Sequence, residues 1–475
     1  MASTKKTKIV ATLGPACDSY EMIEKLSIAG VNVFRINFSH AEYENVKKIV
    51  ASIRKMNKAL GHNVAILADL QGPKLRVGDM GDGFEVIKDN IFIFTTEKCK
   101  GSCEKAYMTY QNFPNDVKVG EKILVDDGKL CFEVISTDGI SEVKTKVLVG
   151  GILHSKKGVN LPNTNISQPA LTEKDIKDAI FACEIEADWI ALSFVRNPED
   201  LQQLEKLINE NSDCKIPIIA KIEKPEAVEN IDAIIRSCDG LMVARGDLGV
   251  EMPMEKVPLI QKMLVDKAKS ARIPVIIATQ MMETMITNSV PTRAEVNDVA
   301  NSIMDGADAV MLSGETSVGK NPIKVIDQIR KIIVGVEDSP RITVPQKPPH
   351  IRTNRYITKS ICYHAAHMAN DVEATAIQTL TNSGYTAFQI SAWRPNANIL
   401  AYTSNKRILS RLNLLWGVKA FFYDRLESTD QTIKDLEEIA LNQGYVERND
   451  LVITLSSMPV AEKGMVNTLR LTEIK

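Results

Sequence analysis

Short apolar runs rich in valine and isoleucine recur through the first two-thirds of the chain. Eight of them have the length and composition of strands buried on both faces: KIVATL, VNVFRIN, VAILAD, WIALSF, PIIAKI, GLMVAR, VIIAT and ADAVML. Amphipathic segments such as YEMIEKLSIAG and PEDLQQLEKLINEN separate most of these runs and have apolar residues at helical spacing. Eight alternating strand and helix units predict an α/β fold of the closed (β/α)8 TIM barrel type.

The alternation is interrupted once, between the third and fourth predicted strands. Residues 74–167 contain many glycines and segments of alternating apolar and polar residues, such as GFEVIKDNIFIF and EKILVDDGKLCFEVI. This pattern predicts an inserted β-barrel domain. The main barrel would then consist of residues 1–73 and 168–340.

A second change of pattern follows the eighth unit. The stretch SPRITVPQKPPH is rich in proline, and residues 341–355 are predicted to be a linker. Residues 356–475 begin with a predicted helix over 356–370 and continue with the strand candidates ATAIQTL, NILAY, VKAFFYD and DLVITL, separated by helical segments. They predict a separate doubly wound α/β domain.

Composition limits the classes of partner. The 475 residues include 58 basic and 60 acidic side chains without a block of like charge, which argues against nucleic acid or an anionic membrane as the main partner. No apolar run approaches membrane-spanning length, and the N-terminal residues lack a signal-peptide pattern. The eight cysteines are scattered, which favours buried thiols over disulfides or a metal site. We therefore expect a soluble cytoplasmic protein.

Polar residues close most of the predicted barrel strands. In a parallel barrel the active site forms at the carboxyl ends of the strands, where these residues would meet. In chain order they are Arg35, Asn37, Ser39, His40, Asp69, Gly72, Lys74, Arg76, Ser193, Lys221, Glu223, Arg245, Gly246, Asp247, Thr279, Ser313 and Glu315. Packing alone does not account for charges at so many consecutive strand ends.

Lys221, Glu223 and Asp247 form the most informative group in this set. Lys221 and Glu223 are two positions apart on an extended run, so their side chains point to the same side of the strand. A carboxylate pair from adjacent strands suits Mg²⁺ or Mn²⁺, which takes its other ligands from water and substrate. A metal, a lysine and arginines are the groups that phosphoryl transfer requires.

Each of these residues also has a structural explanation. A Lys/Glu pair at a strand end is often a surface ion pair. His40 and Ser193 are equally compatible with structural hydrogen bonding, and Glu315 is better explained as a hydrogen-bond partner than as a ligand. The functional interpretation depends on the set as a whole.

The segment GETSVGKN at 314–321 nearly matches a phosphate-binding P-loop. The pattern requires a final serine or threonine whose hydroxyl binds Mg²⁺, and Asn321 stands at that position. A glycine-containing loop followed by a helix that starts near Pro322 is the preferred interpretation.

Successive motifs along the chain resemble the pyruvate kinase family. They include KIVATLGPA, VFRINFSH, AILADLQGPKLR, GVNLP, IIAKIEKPEAV, DGLMVARGDLGVE, IIATQMMETM, PTRAEVNDVAN and DGADAVMLSGETSVGKNP, in the family's order. The resemblance covers essentially the whole chain. It implies a mobile lid formed by the inserted domain, a C-terminal domain for regulation and subunit contacts, and a homotetramer that acts in glycolysis on phosphoenolpyruvate and ADP.

The resemblance also implies residue roles. Lys221, Arg35 and Thr279 would be catalytic, and Glu223 and Asp247 would bind Mg²⁺ or Mn²⁺. The substrate site would comprise Arg35, Lys221, Ala244, Arg245, Gly246, Asp247, Thr279 and Ser193; the nucleotide site Arg76, Asn37, His40 and Lys157; and the monovalent-cation site Asn37, Ser39, Asp69 and Leu70.

One departure from the family pattern concerns potassium. Where potassium-dependent members have a glutamate after Gly-Pro, this chain has Lys74. A fixed ammonium group can substitute for the ion electrostatically, so the resemblance to the lysine-containing members implies activity without K⁺.

A second departure concerns the effector. TLTNSGYTAF resembles the loop that binds an effector phosphate, and its hydroxyls and amides would come from Thr381, Asn382, Ser383, Gly384, Tyr385 and Thr386. A glycine-containing strand-to-helix turn explains the same segment equally well. Fructose-1,6-bisphosphate-regulated animal enzymes have Trp-Arg-Pro near the C-terminus, whereas this chain has Ser457, Met458 and Pro459. A sugar monophosphate or AMP, or no effector, is therefore favoured over the bisphosphate.

Two other functions fit parts of the pattern. A metal-dependent barrel lyase or aldolase acting on a pyruvate enolate would suit KIEKPEAVENID, but it does not explain the inserted domain or Arg76. A regulatory barrel without turnover is disfavoured because Lys221, Glu223 and Asp247 are all present.

Overall fold

The fold begins with three strands and two helices of a barrel. The structure is a computed structural model that describes residues 5–39, 41–339, 342, 348–349, 353–425, 428–458 and 465–475. Its first elements are β1 (Lys8–Thr12), α1 (Tyr20–Ala29), β2 (Val33–Asn37), α2 (Tyr43–Leu60) and β3 (Ala65–Asp69). Apolar residues at helical spacing bury one face of α2, and Gly61 ends this helix in the left-handed conformation.

The segment after β3 forms the inserted domain. Its elements are β4 (Phe84–Val86), β5 (Ile91–Thr95), β6 (Lys105–Tyr107), α3 (Phe113–Asp116), β7 (Lys122–Val125), β8 (Leu130–Thr137), β9 (Glu142–Val149), β10 (Gly151–Leu153) and β11 (Val159–Asn160). Six strands form one sheet in the order β11-β7-β8-β9-β5-β6, and β10 pairs with β4. Arg76 and Val77 bridge to Gly158 and Met108, next to the two edge strands, so the sheet curls round its own phenylalanine-rich core.

The barrel resumes after the insertion. Its elements are α4 (Glu173–Glu184), β12 (Trp189–Leu192), α5 (Pro198–Asn211), β13 (Ile218–Ile222), α6 (Pro225–Glu229), α7 (Ile231–Ser237), β14 (Gly240–Ala244), α8 (Arg245–Glu251), α9 (Val257–Ala271), β15 (Val275–Ala278), α10 (Arg293–Met304), β16 (Ala309–Leu312), α11 (Gly314–Ser317) and α12 (Pro322–Glu337), with 3₁₀ turns at Met254–Lys256 and Glu283–Ile286. Helices α4 and α10 begin with capping boxes, formed by Thr172 with Asp175 and by Thr292 with Glu295.

The eight barrel strands close in the order β1-β16-β15-β14-β13-β12-β3-β2, and all of the neighbouring pairs are parallel. The predicted (β/α)8 barrel with a β-rich insertion is therefore confirmed. Alternate strand residues such as Val10, Leu67 and Met242 fill the interior, and the opposite faces pack against the helices. Helix α12 begins at Pro322, as expected for a loop and helix instead of a P-loop.

The C-terminal domain consists of α13 (Tyr356–Asp371), β17 (Ala376–Leu380), α14 (Tyr385–Ser391), β18 (Asn398–Thr403), α15 (Lys406–Leu412), β19 (Val418–Phe422), α16 (Thr429–Asn442), β20 (Leu451–Ser456) and β21 (Thr468–Glu473). The predicted α/β domain is confirmed, and its sheet order is β19-β18-β17-β20-β21. Sequence analysis missed β21, which pairs antiparallel to β20. Most of the predicted linker at 341–355 lies outside the described residues.

A buried charge cluster joins the barrel to the C-terminal domain. The Asp308 carboxylate accepts hydrogen bonds from Lys269 and, at 3.1 Å, from the Arg394 guanidinium, and all three side chains are almost fully buried. Arg394 also donates to the carbonyl of Gly306 at 2.7 Å. Burial raises the pKa of Asp308, but Arg394 and Lys269 outweigh this effect and hold it below its ordinary value. Leu414 adds an apolar contact to the barrel interior.

All eight cysteines are free thiols. Cys17, Cys183 and Cys362 are buried as expected, whereas Cys103 is exposed because it lies in the loop between β5 and β6. None of the described helices is long and apolar enough to cross a bilayer.

Candidate active site

A network of charges lies at the carboxyl ends of β2, β3 and β13. The two oxygens of the Asp69 carboxylate contact different cations: Oδ2 accepts from Arg35 Nε at 2.6 Å, and Oδ1 lies 3.2 Å from Lys221 Nζ. Lys221 Nζ also lies 2.9 Å from Glu223 Oε1. Arg35 donates in addition to the Thr12 hydroxyl at 3.0 Å. Side chains from β1, β2, β3 and β13 are thus held together at one end of the barrel.

Mutual neutralisation keeps this network charged in spite of burial. Burial disfavours the ammonium form of Lys221, but Asp69 and Glu223 outweigh it and raise the pKa of Lys221 above its ordinary value. Burial also works against the Asp69 carboxylate, yet Lys221 and Arg35 lower the pKa of Asp69. Lys221 is therefore a fixed positive charge at neutral pH.

Glu223 has a different electrostatic balance. Its side chain is buried, and this burial, together with repulsion from Asp247, raises the pKa of Glu223 in spite of the attraction of Lys221. Glu223 Oε2 accepts a 2.7 Å hydrogen bond from the backbone N–H of Phe194. A cation that binds both carboxylates would relieve their repulsion.

Ser193 lies within the network. Its hydroxyl accepts from Lys221 Nζ at 2.7 Å and donates to the carbonyl of Leu70 at 2.7 Å. Ser193 therefore has a structural role, because it connects Lys221 to the loop after β3.

Gly72 packs against the residue that holds Glu223. Its φ is +70°, and a Cβ at this position would lie 2.7 Å from Phe194 Cδ2. We expect Gly72→Ala to lower the free energy of unfolding by about 1–3 kcal/mol, because positive φ and a steric overlap both oppose alanine. Urea unfolding measures the change.

Gly61→Ala is the matched control for this prediction. Its φ is +65°, but a Cβ there would meet nothing within 4 Å. The control should lose only the backbone contribution, about 1 kcal/mol. Equal losses in the two variants would contradict a steric role for Phe194.

Asp247 lies in the helix that follows β14, the strand next to β13 in the barrel. Helix α8 starts directly after β14, so Ala244 ends the strand and Arg245, Gly246 and Asp247 form the first turn of the helix. The Thr279 hydroxyl accepts from the backbone N–H of Gly246 at 2.8 Å. Thr279 has a φ of +70°, an uncommon conformation for a β-branched residue and one that is typical of functional sites.

Arg245 is directed away from the charge network. Its guanidinium donates to Asp298 at 2.6 Å and to the carbonyl of Thr279 at 2.8 Å. These bonds orient the two segments that carry Asp247 and Thr279, so the Arg245 side chain supports the site from behind.

Two predicted nucleotide-site residues lie on the inserted domain. Arg76 donates to the carbonyl of Lys156 at 2.8 Å, and Lys157 forms a 2.8 Å ion pair with Asp126. Both pairs are internal to the insertion. His40 lies outside the described residues.

The predicted cation-site residues are adjacent. Asn37 Oδ1 accepts from the backbone N–H of Ser39 at 3.1 Å, while the carboxylate of Asp69 and the carbonyl of Leu70 have the contacts given above. Lys74 is exposed and forms no hydrogen bond or ion pair with the described residues. It lines a cavity of about 240 Å³ together with Lys174.

Sequence analysis missed several residues that contact this region. Thr12 closes β1, so the strand-end rule would have found it. Lys174 donates to the carbonyl of Phe38 at 2.6 Å from the first turn of α4, a position without a strand-end signal. Glu315, in contrast, accepts from the backbone N–H groups of Met282 and Ser313, as expected for a structural partner.

The predicted effector loop lines a separate cavity of about 590 Å³ in the C-terminal domain. Thr381 Oγ1 accepts from the backbone N–H of Gly384 at 3.0 Å, and Thr386 Oγ1 accepts from Thr379. The described lining includes Thr381, Asn382, Ser383, Tyr385, Thr386, Arg355 and Ser457. Met458 is described and partly exposed, and Pro459 lies outside the described residues.

Family models match both parts of the chain. The model described as pyruvate kinase, barrel domain, matches residues 4–326, and the model described as pyruvate kinase, alpha/beta domain, matches residues 359–472.

Individual proteins are similar to this chain over nearly its full length. A pyruvate kinase of Mycobacterium intracellulare is 41% identical over 99% of both chains, and one of Geobacillus stearothermophilus is 42% identical over 98% of this chain and 80% of its own. A crystal structure of a pyruvate kinase from Cryptosporidium parvum superimposes with a TM-score of 0.91 at 32% identity, covering 99% of this chain and 96% of its own.

Proposed function

The chain belongs to the pyruvate kinase family of phosphotransferases, and we propose that its barrel site transfers the phosphoryl group of phosphoenolpyruvate to ADP. The observation that carries this proposal is the network in which Lys221 is held charged between Asp69 and Glu223. Phosphoryl transfer depends mainly on positioning and on neutralising charge, which such a network supplies. A lyase would have no use for the inserted domain with Arg76.

Glu223 and Asp247 fit a hard divalent cation. Their carboxylates repel each other after adjacent strands of the barrel. The described residues contain no group of three or more His, Cys, Asp or Glu side chains arranged to hold a metal, so these two carboxylates would be the protein's share of the ligands. Two carboxylates are typical of Mg²⁺ or Mn²⁺ that keeps water and substrate ligands. When bound, the metal would neutralise charge on the phosphoryl and enolate oxygens.

The protein's own residues would then bind and orient the substrate. Lys221 and Arg35 present fixed positive charges to the phosphoryl oxygens, and Asp69 keeps both side chains in position. The backbone N–H of Gly246 donates to the Thr279 hydroxyl, and we propose that the substrate carboxylate binds beside this pair. The enolpyruvate left by transfer is protonated at its methylene carbon. We propose that Thr279 relays that proton through water, because a threonine hydroxyl is too weak an acid to be the donor alone.

The inserted domain would act as a lid over the nucleotide. Arg76, Lys157 and the barrel residues Asn37 and His40 are proposed to contact it. Closure of the domain would exclude water and strengthen the electrostatic interactions at the site.

A coupled assay of pyruvate release tests the function. With phosphoenolpyruvate, ADP and Mg²⁺ we expect turnover, and removal of Mg²⁺ with a chelator should abolish it because the two carboxylates would be left without their cation. Pyruvate release that persists without a divalent metal, or that does not depend on ADP, would contradict the proposal.

The same assay without K⁺ tests the role of Lys74. We expect at least half of the activity to remain when K⁺ is replaced by tetramethylammonium, since the Lys74 ammonium group would substitute electrostatically for the ion. Lys74→Glu should then require K⁺. Collapse of wild-type activity in tetramethylammonium would reject this prediction.

We also propose that the loop at 381–386 binds the phosphate of an effector. Its cavity offers hydroxyls from Thr381, Ser383 and Ser457 and a cation from Arg355, but no second cation is evident among the described lining residues. Ribose 5-phosphate, glucose 6-phosphate or AMP should therefore lower the KM for phosphoenolpyruvate more than fructose 1,6-bisphosphate does. Titration of each effector measures this order, and strong activation by low bisphosphate concentrations would reverse our conclusion.

We propose a homotetramer in the cytoplasm that acts in glycolysis. Sedimentation analysis tests the subunit number.

A further inference from the structure

A buried ion pair lies beside the proposed metal site. Lys224 Nζ donates to Glu251 Oε1 at 2.6 Å, and the two side chains retain only 7% and 1% of their exposure. Asn160 Nδ2, at the end of β11 in the inserted domain, donates to the same oxygen at 2.8 Å. One carboxylate oxygen therefore joins residues from two barrel segments and the insertion.

The pair connects the two segments that carry the proposed metal ligands. Lys224 follows Glu223 directly, and Glu251 is the last residue of α8, four positions after Asp247 and about one helical turn away. Asp247, Glu251, Lys224 and Asn160 line the same small cavity of about 60 Å³. The Lys224–Glu251 pair thus links the segments of the two carboxylates without involving either carboxylate.

Because the pair is buried, it is not expected to add much to the free energy of unfolding. Desolvation of two charges often cancels their attraction, so such pairs contribute more to geometry than to folding energy. Glu251 Oε2 is buried and has no hydrogen-bond partner among the described residues, which adds to the cost. A well-packed apolar pair would have served a purely structural purpose.

We propose that Glu251 is a positioning residue that sets the spacing between Glu223 and Asp247 and couples it to the inserted domain through Asn160. The inference rests on the proposed function, because it assigns those two carboxylates to the divalent cation. Movement of the insertion would break or form the Asn160 bond and so change the affinity for the metal. Groups that orient metal ligands typically change metal affinity 10–100-fold when removed.

The test is direct binding of Mn²⁺ to the full chain, measured by electron paramagnetic resonance without substrates. Glu251→Ala is expected to weaken Mn²⁺ binding by roughly 10-fold or more. Glu251→Gln keeps an acceptor oxygen at the same reach and should recover part of the affinity. In steady state, Glu251→Ala should raise the KM for Mg²⁺ more than it lowers kcat.

Asn160→Ala keeps the proposal testable if Glu251→Ala fails to fold, because it removes only the bond from the insertion. It should weaken Mn²⁺ binding to a smaller extent. Asn112→Ala is the matched control, since its amide donates to Ser167 at 3.1 Å without reaching α8, and it should bind Mn²⁺ as the wild type does.

Several outcomes would overturn the inference. Wild-type Mn²⁺ affinity in Glu251→Ala, even with a lower melting temperature, would reduce the pair to a structural role. Asn160→Ala that matches Asn112→Ala would remove the link to the insertion. A wild-type chain that binds Mn²⁺ but releases no pyruvate would reject the proposed function, while the affinities of the variants would still decide the role of Glu251.

Discussion

Lys221→Met is expected to lower kcat for phosphoryl transfer by roughly 10³-fold, the upper range for loss of one preorganised charge at a transition state. Methionine fills a similar volume but supplies no charge to the moving phosphoryl group. It also leaves Asp69 and Glu223 without the cation that both of them contact. The pyruvate-release assay measures the loss, and Mn²⁺ binding verifies that the metal site persists.

Proton exchange at the methyl group of pyruvate provides the second readout for this variant. Enolisation needs the metal and a proton relay but no transferring phosphoryl group, so Lys221→Met should retain it. Lys267→Met is the control, because that lysine pairs with Asp232 at the surface. A Lys221→Met enzyme with near wild-type kcat for pyruvate release would contradict the role proposed for this lysine.

Asp308→Ala is expected to destabilise the protein by about 3–5 kcal/mol, because it leaves the buried Arg394 guanidinium without its counter-charge and the buried Lys269 amine without its acceptor. The variant also loses the acceptor for the backbone N–H of Val275 at the start of β15. Urea unfolding measures the change. Asp308→Asn keeps an acceptor but loses the charge, and should lie between the wild type and the alanine variant.

Asp430→Ala is the control for this second prediction. Asp430 pairs with Arg470 at 3.1 Å, but its side chain is 84% exposed. Solvent screens such a pair, so the expected loss is below about 1 kcal/mol. Equal losses from Asp308→Ala and Asp430→Ala would show that the buried cluster does not hold the barrel and the C-terminal domain together.

The periodicity of apolar residues was sufficient to predict the main helices and strands. The eight barrel strands are recognisable because burial on both faces requires a continuous apolar run, and each run ends where its strand meets solvent and ligand. The last strand, β21, has no such signal. It is an edge strand with exposed residues such as Leu471, and its position follows from pairing with β20.

The positions of the charged residues were predictable in part. Lys221 and Glu223 were expected to share one side of their strand, and the structure places them 2.9 Å apart. The connection from Arg35 through Asp69 to Lys221 was not predicted, because it depends on the strand order around the closed barrel. Lys224 and Glu251 were overlooked for the same reason, since nothing in the local pattern pairs them.

The sequence by itself determined the barrel, the insertion, the C-terminal domain and the strand ends at which Lys221, Glu223 and Asp247 meet. Local periodicity and strand-end chemistry specify these features, and they need no knowledge of distant contacts. Only the tertiary structure decided which charges neutralise one another and that Asn160 reaches Glu251. Such contacts join residues far apart in the chain, and their strength depends on burial, which arises only when the barrel closes.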